Sequence, residues 1–259
     1  MEEHILVCED SLEGILTAVY TAYEKHYSPE TTGIQTSEEG NLRLFAVYET
    51  VDGDAEKCAR VMRTLRIRFG EEGFYVICQA LASADDRKAT AVYRTIAKGL
   101  RLRSAEKVLE RYADTDVRTV QKLKYNVWCE MHHLYGFLRF RELQNGILFA
   151  EICPKNNVTA YLAEHFADRL PMEHFVICDC GRGLFAVHEA GKHWFLVQNS
   201  HFERENVKES EGEAMCQELF RHFCHKISIE ARENKELQRG MLPLRFRPYM
   251  TEFDGNCTE

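Results

Sequence analysis

The chain opens on a short apolar run, His4 to Cys8, that reads as a strand, and then changes period. Leu12, Ile15, Leu16, Val19, Tyr20 and Tyr23 recur at helical spacing, so a helix is predicted from about Leu12 to Tyr27 with one face committed to a core. Asp10 is placed to cap its first turn, and Glu13 to complete a capping box. A polar loop, Ser28 to Gly40, precedes Leu42 to Val51, where the run Leu44 to Tyr48 predicts a second strand. From Asp54 to Leu134 the helical period dominates. Breaks near Gly70 to Gly73, Ala84 to Asp86, Arg103-Ser104 and Asp114 to Asp116 divide it into four or five helices.

After Gly136 the period becomes two. Phe137 to Glu142 and Ile147 to Ile152 flank Gln144-Asn145-Gly146, and an Asn-Gly turn between alternating runs is a strong hairpin signal. A helix from about Val158 to Leu170 follows, then three strands, His174 to Cys178, Gly183 to His188 and Lys192 to Gln198. Beyond a charged loop, Glu203 to Glu213, a helix is predicted over Ala214 to Lys226, and the last segment is broken by Pro243 and Pro248. In that segment Leu237, Met241, Leu242 and Phe246 are the expected apolar anchors. The pattern lacks regular βαβ alternation. It predicts a single α+β domain over 1–259, with a helix-rich lobe over about 1–135 and a mostly antiparallel, β-rich lobe over about 136–259.

Composition narrows the class. With 45% apolar residues, the 259-residue chain can bury a core. No apolar run approaches the roughly 20 residues of a membrane-spanning helix, so no membrane partner is expected. The acidic start, Met1-Glu-Glu-His, is unlike a secretory signal, which points to the cytoplasm. Ten cysteines in a reducing compartment read as thiols, and Cys8, Cys58, Cys78 and Cys216, set among apolar neighbours, are expected to be buried.

The net charge of −8 argues against a nucleic-acid partner until its distribution is considered. Residues 57–124 hold 16 Lys+Arg against 8 Asp+Glu, a local charge of +8, which leaves −16 for the rest of the chain. Such asymmetry is the sequence form of an electrostatic footprint, although Arg-rich helical surfaces are also common without any ligand. On the helix opening at Asp85-Asp86, Arg87, Arg94, Lys98 and Arg101 share one sector, opposite Ala89, Val92, Tyr93, Ile96 and Leu100. The stripe is either a solvated face or a phosphate-contacting one. The sequence Leu138-Arg-Phe-Arg141 recurs as Leu244-Arg-Phe-Arg247; Arg beside aromatic residues suits phosphate pairing with base stacking, but an ordinary half-exposed strand accounts for it more simply.

Signatures of cofactor chemistry are weak. Gly181-Arg-Gly183 lacks the third glycine of a phosphate-binding loop, Cys178-x-Cys180 is too tightly spaced for a structural zinc site, and no iron–sulfur run is present. His222, Cys224 and His225 have spacing closer to that of metal ligands but read more simply as helix-surface histidines and a buried thiol. No metal or cofactor is expected. For general acid–base work the candidates are Glu130, His132, His165 and Asp179, which lie at helix and strand ends where side chains can meet in a cleft.

Several segments resemble a known bacterial family. They are Asp10-Ser11-x-Glu13-Gly14-x-Leu16-Thr17-Ala18, Glu130-x-His132-x-x-x-Gly136-Phe137-x-Arg139-Phe140, His165-Phe166-Ala167-Asp168-Arg169 and Asp179-x-x-Arg182. The ending adds Ile229-x-x-Arg232-x-Asn234-x-x-Leu237-Gln238-Arg239 and Met241-x-Pro243-x-Arg245-Phe246. Together they look like the landmarks of an uncharacterised family assigned to DNA metabolism or repair. Its members accompany a radical SAM protein, and related chains carry a uracil-DNA-glycosylase-like domain after this one. The resemblance departs at His133, where the family more often has Arg, and at Arg247-Pro248, where it tends to place a Trp or a basic residue.

The resemblance implies a DNA-binding accessory to a radical SAM partner, acting on DNA that is single-stranded or damaged. The contacts would come from Arg87, Arg94, Lys98 and Arg101 in the basic helix and from Arg139, Arg169, Arg182, Arg232, Asn234, Arg239 and Arg245 in the landmark segments. Two alternatives stand beside it. One is a hydrolase or glycosylase built on the four acid–base candidates, and the other is a protein-interaction module without DNA affinity. Arg232, Asn234 and Arg245 also have a structural reading, in which they hold the tail to the body of the fold.

Overall fold

The first apolar run forms the strand β1 (Glu3–Cys8), and the helix α1 (Leu12–Glu24) follows it directly. A computed structural model describes residues 3–36, 44–198, 208–229, 232 and 234–253. The cap of α1 is Ser11, whose hydroxyl accepts the Gly14 N–H at 2.9 Å. Asp10, the predicted cap, instead meets the buried ammonium of Lys88 at 2.5 Å. The turn into the helix is tight enough to require Gly14, because a β-carbon there would lie 2.6 Å from the Glu9 carbonyl oxygen. The helix also stops short of Tyr27, since His26 takes a left-handed φ of 56°.

The predicted loop Ser28 to Gly40 contains a strand, β2 (Thr32–Gln35), which pairs in parallel with β1. The strand is short and interrupted by Gly33, so its local signal is weak and tertiary pairing determines it. β3 (Ala46–Val51) pairs in parallel on the other side of β1, giving the order β2-β1-β3. β1, α1 and β2 therefore make a βαβ unit that the pattern along the chain did not reveal. Of the predicted strand Leu42 to Val51, residues 42 and 43 lie outside the described residues, and Leu44 and Phe45 are exposed.

The helical stretch follows its predicted breaks. α2 (Ala55–Leu81) is capped by Asp54 and breaks at Gly70, whose φ of 71° and ψ of 173° only glycine adopts readily. Then come α3 (Lys88–Leu100), a 3-10 helix (Ala105–Glu110) and α4 (Thr115–Phe137). Leu65, Phe69, Ile77, Val92, Val108 and Leu123 join Leu6, Leu16 and Ile34 in one buried cluster. Thr90 on α3 satisfies edge strand β2, accepting the Ile34 N–H at 2.9 Å and donating to the Ile34 carbonyl at 2.8 Å.

The chain forms two compact units, Met1–Trp128 and Cys129–Glu259. The second is built on a five-stranded sheet of order β4-β5-β6-β7-β8. Its strands are β4 (Arg141–Glu142), β5 (Leu148–Ile152), β6 (Phe175–Asp179), β7 (Leu184–His188) and β8 (Phe195–Gln198). All pairings are antiparallel except β5 with β6, which α5 (Thr159–Arg169) connects as a second βαβ unit. The hairpin turns at Gly146, with a φ of 76°, as the Asn-Gly signal predicts. Its first strand is shorter than expected because α4 runs on through Phe137. The architecture is α+β, with the mostly antiparallel sheet in the later half.

The closing segment forms α6 (Glu213–Ile227), α7 (Lys235–Met241) and 3-10 turns over Leu244–Tyr249 and Thr251–Phe253. The second Leu-Arg-Phe-Arg sequence therefore lies in a 3-10 turn rather than an extended strand. Leu242, Phe246 and Met250 are its buried anchors, whereas Leu237 and Met241 are exposed. Cys8 and Cys58 are buried as expected; Cys78 is half-buried and Cys216 exposed. Among the described residues no helix is long and apolar enough to cross a membrane.

Candidate functional site

Two of the four acid–base candidates, Glu130 and Asp179, belong to one buried clasp in the second unit. Glu130, 2% exposed, accepts the backbone N–H groups of Lys155 and Asn156 at 2.9 and 2.8 Å, and the Asn156 side-chain amide at 2.7 Å. Arg245 pairs with the same carboxylate at 2.8 Å. Asp179, at the end of β6, accepts from Thr159 Oγ1 at 3.2 Å, from the Gly181 N–H at 3.1 Å and from Arg182 Nη1 at 3.0 Å. Arg182 also donates to the carbonyls of Pro154 and Lys155 at 3.1 and 2.6 Å. Residues 154–156, between β5 and α5, are thus held from one side by an acid and from the other by a guanidinium. Both carboxylates are saturated with donors, and this arrangement fixes a loop rather than presenting a free base.

The other two candidates, His132 and His165, form a separate surface cluster. The His165 ring stacks on Tyr135 with centroids 3.9 Å apart and planes 22° from parallel, and the His132 ring lies 5.4 Å from Tyr135. Arg169 follows His165 by one helical turn on α5 and is exposed. The His165 imidazole is held below its ordinary pKa, first by burial and then by the Arg169 charge and His132, with Asp168 opposing.

The basic stripe on α3 is engaged within the first unit. Arg87 pairs with Asp85 at 2.7 Å, and Arg94 donates to the carbonyls of Pro29 and Thr32 at 2.9 and 3.4 Å. Lys98 bridges Asp114 and Asp116 at 2.6 and 2.7 Å, and Arg101 faces Glu30 at 3.7 Å. Burial alone would lower the Lys98 ammonium pKa, but the hydrogen bonds to the two aspartates outweigh it and hold the group above its ordinary value. A cavity of about 260 Å³ is lined by Arg94, Lys98 and Arg101, yet Glu30 and Asp116 line it too.

Among the described residues, cations without an acidic partner include a group on α4. From Arg118 to Cys129 the chain contains no carboxylate, and on α4 Arg118, Lys122 and Tyr125 share the exposed face opposite the buried Val120, Leu123 and Val127. Arg118, Lys122 and Lys124 have no ion-pair partner among the described residues. Tyr125 is 59% and Trp128 39% exposed, and their rings lie 6.0 Å apart and 22° from parallel. The signal was present in the sequence as an acid-free run with two aromatics three residues apart. The intervals between Arg118, Lys122 and Tyr125 place them on one face, but only packing shows which face points outward.

The remaining candidates are scattered. Arg139 pairs with Glu252 at 2.7 Å and lies over Phe220, tying the tail to the end of α4. Asn234 caps α7 by accepting the Leu237 N–H at 2.9 Å. Arg232 and Arg239 are exposed. The Arg247 guanidinium lies over Phe253 with Nε and Nη2 buried and without an acceptor among the described residues. No group of three or more His, Cys, Asp or Glu side chains among the described residues is arranged to hold a metal ion. Residues 86–252 match the family described as "Domain of unknown function (DUF4130)". No curated protein sequence matches the chain.

Proposed function

We propose, on the premise that the chain belongs to the DUF4130 family, that it is a nucleic-acid-binding protein of DNA metabolism whose contact surface is the exposed face of α4. The observation that carries this reading is the contrast between two basic helices. The cations of α3 are matched by acids and carbonyls of their own unit, so a phosphate would have to displace those partners. Arg118, Lys122 and Lys124 sit in an acid-free run, where phosphate oxygens can neutralise them and release counterions. The accessory role beside a radical SAM enzyme, which the family resemblance implies, is part of the same proposal. A hydrolytic role is less well supported, because Glu130 and Asp179 are already saturated with donors.

Fluorescence anisotropy with labelled single- and double-stranded DNA across a salt series tests this. Binding should weaken steeply with salt. In Arg118→Ala/Lys122→Ala/Lys124→Ala the logarithmic salt slope for a single strand should fall by about 2, at about 0.7 per phosphate. Arg87→Ala/Arg101→Ala should leave the slope unchanged. Absence of binding at low salt, or an unchanged slope in the α4 variant, rejects the reading.

A further inference from the structure

The α4 face in the first unit carries two rings that a purely electrostatic contact does not use. Val117, Val120, Leu123 and Val127 form the buried stripe of this part of the helix, each no more than 1% exposed. Tyr125 and Trp128 lie on the solvent side of that stripe instead, 59% and 39% exposed. Each follows a lysine by about one helical turn, Lys122 before Tyr125 and Lys124 before Trp128. From Arg118 to Trp128 the face extends about 15 Å, at about 1.5 Å per residue.

The two rings lie 6.0 Å apart and 22° from parallel, an offset pair that presents a joint π surface. A nucleic-acid base can lay its face on such a surface only when it is unpaired, because a duplex hides base faces in its own stack and exposes edges and phosphates. Lysines one turn from the rings suit the phosphates on either side of a stacked base. Exposed aromatics also serve protein contacts. Here the neighbouring cations stand in a run without any carboxylate, which complements a polyanion that also has π faces to offer.

We infer that Tyr125 and Trp128 form a base-stacking platform, and that the α4 face takes single-stranded nucleic acid in preference to a duplex. The inference rests on the nucleic-acid reading of this face and names the class of strand it accepts. Affinity then has two separable parts, a salt-dependent one from Arg118, Lys122 and Lys124 and a largely salt-independent one from stacking.

The chain has two tryptophans, so Trp194→Phe leaves Trp128 as the sole indole reporter. At physiological salt its emission should be quenched by oligothymidylate, and not by an abasic deoxyribose-phosphate strand of the same length or by a duplex. Anisotropy should show oligothymidylate bound about tenfold more tightly than the abasic strand. Tyr125→Leu/Trp128→Leu should abolish that preference with its salt slope unchanged. Tyr125→Phe keeps the ring and should keep the preference, and circular dichroism checks that both variants retain the helical signal and melting of the parent. Steep salt-dependent binding without quenching or preference for the base-bearing strand overturns the inference and leaves the charge reading of α4 standing. A preference that survives in Tyr125→Leu/Trp128→Leu, or a duplex bound as tightly as oligothymidylate, overturns it too. If no strand binds at low salt, both readings fall, and the exposed rings then belong to a protein contact.

Discussion

Arg245 closes the clasp on Glu130: its guanidinium lies 2.8 Å from a carboxylate that is buried and already accepts two backbone N–H groups. The pair brings the closing segment to the start of the second unit, residues more than a hundred positions apart in the chain. Arg245 is half-exposed and also lies over the Phe246 ring, whose buried side chain anchors the same turn.

The two partners should respond unequally to removal. Glu130→Ala leaves two backbone donors, an amide and a guanidinium without their acceptor, and should destabilise the second unit by about 3 kcal/mol or more. Arg245→Ala leaves Glu130 with its remaining hydrogen bonds, and solvent already screens the lost charge. Its cost should be nearer 1 kcal/mol. Urea unfolding of both variants, followed by the m-value and midpoint, gives the comparison; equal losses would contradict the assignment of Glu130 as the centre of the clasp.

Arg94 should be a stability residue rather than a ligand contact. Its guanidinium donates to two carbonyls of the segment that leads into β2. Arg94→Ala should therefore cost about 1–2 kcal/mol while leaving DNA affinity within about twofold. A large loss of affinity in a stably folded variant would return the α3 stripe to the contact surface.

His165 gives the second unit a pH dependence of known sign. Its folded pKa lies below the unfolded value of about 6.5, so the unfolded chain binds more protons in the window between the two. Stability is complete above the unfolded value and declines as pH falls through that window toward the folded pKa. Chemical denaturation at pH 7.5 and at steps below about 6.5 should show the decline, less steeply in His165→Gln. In Arg169→Ala it should also be shallower, because a cause of the depression has been removed.

Thiol labelling should separate the cysteines by environment. Cys153, Cys180 and Cys216 are exposed and should react with an aromatic disulfide reagent in the native protein. Cys8, pushed up to about 12 by burial and the nearby Asp10 charge, should react only on unfolding. Cys178, buried and raised by its hydrogen bond with Cys180 and by desolvation, should behave like Cys8. Mass spectrometry of the labelled peptides checks the order.

The elements that were legible before folding are those with a strong local signal. The α1 stripe, the helix breaks at Gly70 and Asp114 to Asp116, and the Asn145-Gly146 hairpin all follow from periodicity and backbone conformational preference, which act over a few residues. β2 was not legible, because four residues containing a glycine become a strand only when β1 supplies the hydrogen bonds. The same limit applies to the candidate site. The sequence identified Glu130, His132, His165 and Asp179 as residues capable of acid–base chemistry, but not that they divide between a saturated clasp and a surface cluster.

Charge shows the distinction most directly. The sequence by itself determined that residues 57–124 carry an excess of eight positive charges and that the run from Arg118 to Cys129 has no acid. Only the tertiary structure decided which cations remain unmatched. Asp114, Asp116 and Glu30 reach the α3 side chains across turns and from other elements, whereas the outward face of α4 has no acid within its own run to neutralise it. Coulomb interactions depend on distance in space, and a linear count of charges does not contain that distance.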